Sequence, residues 1–158
     1  MTKRKGRKMI EQLYEDQFLE TTPLFETMFD LSSSLIIKSG NFLPHGGYLN
    51  REGQISLCAA APENDMTNST EVLPLLHDGL RVQTSEWSTL AVAVSESVLL
   101  GENRTPAIKV LIEHRDGMTL ALYKTWRKRL LRGPVFDDMF TNDAAPEVGN
   151  WKKPHFLA

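Results

Sequence analysis

Residues 113–117 read Glu-His-Arg-Asp-Gly, placing an imidazole, a guanidinium and two carboxylates within five positions. Such a set could move a proton or grip a phosphate. The HRD triplet also occurs in kinase catalytic loops, where an Asn follows the Asp by five residues and DFG lies downstream. Here Ala121 stands five after Asp116, and the chain has no DFG and no Gly-rich phosphate loop. Strongly alternating apolar segments abut EHRDG on both sides, and Asp-Gly suits a hairpin because Gly accepts the positive φ of a tight turn. The segment is expected to be a turn, with a surface binding role left open for His114 or Arg115.

His45 is the second candidate. It sits in Pro44-His45-Gly46-Gly47 at the mouth of an expected strand, where bare backbone lets a ligand approach and imidazole can change charge near neutral pH. Glu113 and His114 could lie near it across a sheet, giving a weak ligand or acid/base site. A structural or exposed His is the commoner use of such a position. His77 falls in LLHDG at an expected helix end, His155 lies in the tail, and the four histidines show no HExxH or other metal spacing. Ser32, Ser33 and Ser34 lack a GxSxG frame, and no phosphate-binding glycine motif occurs, so no cofactor and no metal are expected. Cys58 is the sole cysteine; within QISLCAAA it reads as a small buried hydrophobe, and no intrachain disulfide can form.

The strongest charge signal is KTWRKRLLR, residues 124–132. Lys124, Arg127, Lys128, Arg129 and Arg132 surround Trp126 without an acidic residue among them. Such a strip could meet an acidic protein, a phosphate backbone or a membrane surface. Basic residues also protect an exposed strand edge from unwanted pairing. Lys124, Trp126, Arg127, Lys128 and Arg129 are therefore candidate partner contacts.

The elements that must carry these residues fit within one domain. The chain has 158 residues, 41% apolar and 24% charged, with a formal charge of -2. That length suffices for a core, and the charge gives no global attraction to nucleic acid or anionic membrane, so nucleic acid is not the expected partner. No apolar run approaches the length of a membrane span, and MTKRKGRK runs into acidic sequence rather than a signal h-region. Cytoplasmic placement is the expectation.

Residues 1–8 read as a basic, disordered arm. Met9, Ile10, Leu13, Tyr14 and Phe18 then recur at helical spacing, and Leu24 to Leu31 continue it after Thr22-Pro23, a pair that resembles a cap and first turn. One helix or two remains open over 9–39. NREGQ reads as the turn of a hairpin between strands near Tyr48 and Leu57. Residues 61–70 read as a polar loop, and Val72 to Val82 as a helix with Pro74 as a flaw. Residues 89–100, 107–114 and 118–123 alternate with a period of two and are expected strands. The fold class is thus α+β, ordered α(α)-β-β-α-β-β-β, with about five mostly antiparallel strands and helices on one face. Residues 9–132 form that domain; residues 133–158 form an aromatic-containing tail, expected to dock on the domain or on a second subunit.

This order resembles the roadblock and longin-like group and, more loosely, profilin-like domains, over about residues 22–130. FLPHGGYLNREGQ followed by AIKVLIEHRDGMTLALYKTWRK is also similar to a family of small uncharacterised bacterial proteins. The first likeness implies an adaptor or regulatory module; the second brings no catalytic residue with it. The leading expectation is a non-catalytic domain that binds a protein or forms a homodimer. A small-molecule sensor using His45 and an enzyme of unknown reaction are the alternatives.

Overall fold

The computed structural model describes the backbone of residues 3–59, 69–149 and 151, and side chains from residue 14 onward within these ranges except at 69. Helix α1 (Lys3–Ser39) precedes the hairpin of β1 (His45–Asn50) and β2 (Ile55–Ala59). Helix α2 (Ser69–Thr84) follows, then β3 (Thr89–Leu100), β4 (Thr105–His114), β5 (Thr119–Arg129), β6 (Arg132–Phe136) and β7 (Phe140–Asp143). The sheet runs β2-β1-β3-β4-β5-β6, and every pair is antiparallel. One edge of β5 is shared: Trp126–Arg129 pair with β6, while Leu120–Tyr123 pair with β7.

The fold class and element order agree with the sequence, but among the described residues there are seven strands rather than about five, and α1 and α2 cover opposite faces. Residues of β3 separate those faces one by one. Ala91 and Ala93 join Leu24, Met28 and Phe29 of α1, whereas Val92 and Val94 join Leu76 and Leu80 of α2. Both sets are apolar because both faces are covered, the condition under which a strand loses polar alternation. The small side chains toward α1 leave room for the large ones on that helix.

α1 is continuous through Pro23. Proline inside a helix removes one hydrogen bond and costs about 3 kcal/mol. Packing offsets it here. Leu24, Phe25, Met28, Phe29 and Ile36 form a buried stripe whose members contribute roughly 1.5–3 kcal/mol each. The helical backbone begins at Lys3, so the basic segment read as an arm leads into α1; its side chains fall outside the described residues. The loop expected at 61–70 lies outside them as well, apart from its last two residues, which open α2.

The paired glycines of β1 sit between the two helices. A Cβ on Gly46 would lie 2.8 Å from the Ala93 carbonyl oxygen and from Leu80 Cδ1 of α2. One on Gly47 would meet Met28 Sδ at 3.3 Å and Leu24 Cδ1 at 3.4 Å, both on α1. The HGG run therefore lets two helices approach one strand from opposite sides.

The expected boundary at 132/133 falls inside β6. Residues past it supply β7 and then cross the α2 face, where Val148 is buried and Trp151 packs beside it. Residues 152–158 lie outside the described set.

Candidate functional site

His45 lies within β1, opposite Ser95 of β3, with Ser32 of α1 above both. Its Nδ1–H donates to the Leu43 carbonyl at 3.1 Å, which leaves Nε2 to accept from Ser32 Oγ–H at 3.1 Å. Ser32 Oγ in turn accepts from Ser95 at 2.7 Å. A Ser-His pair at this distance is the kernel of nucleophilic catalysis. Here both serines are fully buried and His45 is 6% exposed, so a substrate carbonyl has no route to the hydroxyl. Burial also pushes the His45 pKa down, only partly opposed by its bond to Leu43. The triad is a neutral polar chain joining α1, β1 and β3, in which every link is satisfied.

EHRDG is the β4–β5 turn. His114 N–H donates to the Met118 carbonyl at 2.8 Å, Gly117 N–H returns to the His114 carbonyl at 3.0 Å, and Gly117 has φ +115. Gln17 of α1 caps the turn from above, its Oε1 accepting from Met118 N–H at 2.8 Å. His114 is buried beneath it. Nδ1 accepts from Asp116 N–H at 2.9 Å, so Nε2 carries the hydrogen, 3.7 Å from a Glu20 carboxylate oxygen. Desolvation lowers the His114 pKa, opposed by the Glu20 and Asp116 charges. Arg115 points back along the sheet: Nε donates to the Thr89 carbonyl at 2.7 Å and the guanidinium stacks over Trp151 at 4.7 Å.

Glu113 faces the other layer, opposite Val92. Its carboxylate accepts the backbone N–H groups of Glu147 at 3.2 Å, Val148 at 2.9 Å and Gly149 at 2.9 Å. Arg81 of α2 holds the same segment from the opposite side through the Val148 carbonyl at 3.1 Å. This is a latch for the chain's own tail. His45 and His114 thus lie on the α1 face and Glu113 on the α2 face, so the three ligand candidates do not converge. Ser32, Ser95 and Arg81 were not singled out as partners because their contacts span 13, 63 and 67 positions, and no local spacing reports such separations.

The candidate partner contacts fall together on the β5–β6 hairpin. Trp126 is 6% exposed, packed against Phe136 with ring centroids 6.4 Å apart, and belongs to the core. Lys124 lies with its Nζ 4.9 Å from the Phe29 ring centroid. Arg127, Lys128, Arg129 and Arg132 carry the charge outward, and between them Leu130 and Leu131 form the tip, 90% and 97% exposed. Leu131 holds φ +62, a left-handed conformation that disfavours any residue with a Cβ. A cleft of about 270 Å³ lies between this hairpin and the end of α1, lined among others by Ile37, Trp126, Lys128, Arg129 and Arg132. The sequence signalled the charge. It did not reveal that two leucines would stand outside the fold.

No family model, curated protein or solved structure matches the chain, so its own geometry is the ground for function. Among the described residues no helix is long and apolar enough to cross a membrane, and no group of His, Cys, Asp and Glu side chains is placed to hold a metal.

Proposed function

We propose that this chain is a non-catalytic interaction domain of the cytoplasm whose contact surface is the β5–β6 hairpin. The observation that carries the reading is the pair Leu130 and Leu131, at 90% and 97% exposure, flanked by basic residues on both strands. Exposed single leucines are ordinary; two at the tip of a cationic ribbon, one in a costly backbone conformation, answer no need of the fold. Ser32, His45, Ser95, Glu113 and His114 are buried and hydrogen-bonded within the fold, which supports binding over catalysis at these residues. It also supports binding by surface over sensing through His45.

A photo-crosslinking residue placed at 131 in the living host tests this. Adducts are expected from position 131 and not from position 75, where Leu75 is a half-exposed apolar residue on α2. Equal yields from the two sites would contradict the reading.

A second copy of this chain is the partner we propose for the far edge. Among the described residues β2 has β1 as its only strand neighbour, and Leu57 on it is 54% exposed. Antiparallel pairing of two such edges gives a two-fold dimer. Light scattering should show twice the chain mass, reverting to one on Leu57→Lys; a monomer at high concentration excludes it.

A further inference from the structure

We propose that the partner of the β5–β6 hairpin is an anionic membrane surface, with Leu130 and Leu131 entering the acyl boundary and the basic side chains meeting lipid phosphates. The inference rests on the docking role given to this hairpin and names what it docks on.

The arrangement of chemistry along the ribbon selects this partner. Its large apolar side chains that stand fully exposed are the two at the tip, residues 130 and 131, and cations flank them on both arms at 127, 128, 129 and 132. A bilayer presents the same order along its normal: hydrocarbon below, then phosphate, then water. Long Lys and Arg side chains extend to the phosphate layer while a buried tip holds the backbone below it. From Gly117 to Phe136 there is no acidic residue; the first, Asp137 and Asp138, stand at the end of the ribbon away from the tip, where Asp137 accepts from Thr125 Oγ1 at 2.6 Å. Arg129 also donates to the Gly133 carbonyl at 2.9 Å, bracing the turn across its strands. The cleft behind the tip, walled by Lys128, Arg129 and Arg132, is placed to receive a headgroup. It also includes Trp126, whose buried Nε1–H has no protein partner among the described residues.

Nucleic acid fits the same ribbon less well. Single strands are gripped by stacking on exposed aromatics, whereas those of the ribbon are engaged within the fold, Trp126 with Phe136 and Tyr123 stacked on Phe140. Polar tip residues would serve phosphate contacts better than leucines. An acidic protein would need an apolar pocket ringed by carboxylates to accept this tip, a more particular surface than a leaflet.

The test is co-sedimentation of the full chain with vesicles of phosphatidylcholine alone and with about one-third phosphatidylserine. Binding is expected only to the anionic vesicles and should weaken with salt, since each basic residue near such a surface is worth about fivefold in partitioning. Arg127→Gln or Arg132→Gln should each lose about that factor, and Leu130→Ser/Leu131→Ser should lose at least tenfold with the circular dichroism spectrum unchanged. No sedimentation with anionic vesicles overturns the proposal, as does sedimentation that the leucine variant retains. Binding to DNA or RNA with the same variant pattern, and not to vesicles, also overturns it. Crosslinks from position 131 to a protein, without vesicle binding, would overturn the lipid partner while leaving the docking role intact.

Discussion

Glu113 and Val148 lie 35 positions apart, and the backbone N–H of Val148 donates to the Glu113 carboxylate at 2.9 Å, between the matching bonds from Glu147 and Gly149. Three consecutive main-chain donors on one buried carboxylate fix the path of the chain beyond β7. Glu113→Gln replaces one acceptor oxygen by an N–H₂ that opposes those donors. Bonds to charged groups are worth about 1.5–3 kcal/mol, so a loss of about 3 kcal/mol is expected in urea unfolding. Hydrogen exchange at 147–149 should become fast; retained protection there would show that the latch is held by other contacts.

Ser32→Ala removes the donor to His45 Nε2 and one acceptor for Ser95, leaving buried groups unpaired. A destabilisation of about 1–3 kcal/mol is expected. Ser95→Ala leaves the bond from Ser32 to His45 in place and should be milder. The reverse ranking in equilibrium unfolding would contradict the donor order Ser95 to Ser32 to His45.

His45 and His114 both have pKa values below the ordinary 6.5, chiefly through desolvation. A lowered value means the unfolded chain binds protons that the folded chain refuses. Stability from this source is fully present above about pH 6.5 and falls as pH drops below it. For His45 the Leu43 bond opposes the effect, and for His114 the Glu20 and Asp116 charges oppose it while Arg51 reinforces it. Unfolding free energies from urea titration should decline from pH 7 to 5, at up to about 1.4 kcal/mol per pH unit for each His. His114→Gln should reduce the slope, and an unfolding free energy that stays flat or rises toward pH 5 would refute the assignment.

Gly46→Ala and Gly47→Ala should differ although the residues adjoin. At Gly46 the nearest obstruction includes a backbone carbonyl at 2.8 Å, which cannot rotate away. At Gly47 the Met28 thioether at 3.3 Å can shift, though the Ser56 carbonyl oxygen lies at 3.1 Å. Overpacking costs about 1–3 kcal/mol, with Gly46→Ala expected near the top and Gly47→Ala near the bottom of that range. Thermal denaturation of the two variants checks the order.

The strands were legible because β3, β4 and β5 keep a period of two over long stretches, and Asp116-Gly117 marks its own turn. The two-sided cover was written there as well, in β3, where Ala91 and Ala93 alternate with Val92 and Val94 and neither set is polar. A single helix cannot bury both, so that pattern calls for two layers. Pro23 leaves one helix or two open in the sequence because a proline is a local signal, whereas the buried stripe from Leu24 to Ile36 draws its strength from a sheet that lies later in the chain. Glu113 reads as a ligand candidate beside His45 because its actual partners are main-chain groups, which no residue type announces. In the basic segment the charges were plain, but the turn at Leu130-Leu131 lacks Gly and Asn, the residues that usually mark positive φ.

That turn is where the account stands or falls, since its claim is that Leu130 and Leu131 serve a partner and not the fold. Equilibrium urea unfolding of Leu130→Ser/Leu131→Asn is the direct measurement, because Asn tolerates the left-handed conformation that Leu131 holds at φ +62. The midpoint is expected to equal or exceed that of the unsubstituted chain. A loss of about 2–5 kcal/mol, the usual consequence of truncating a buried leucine, would place these side chains in the core and contradict the account.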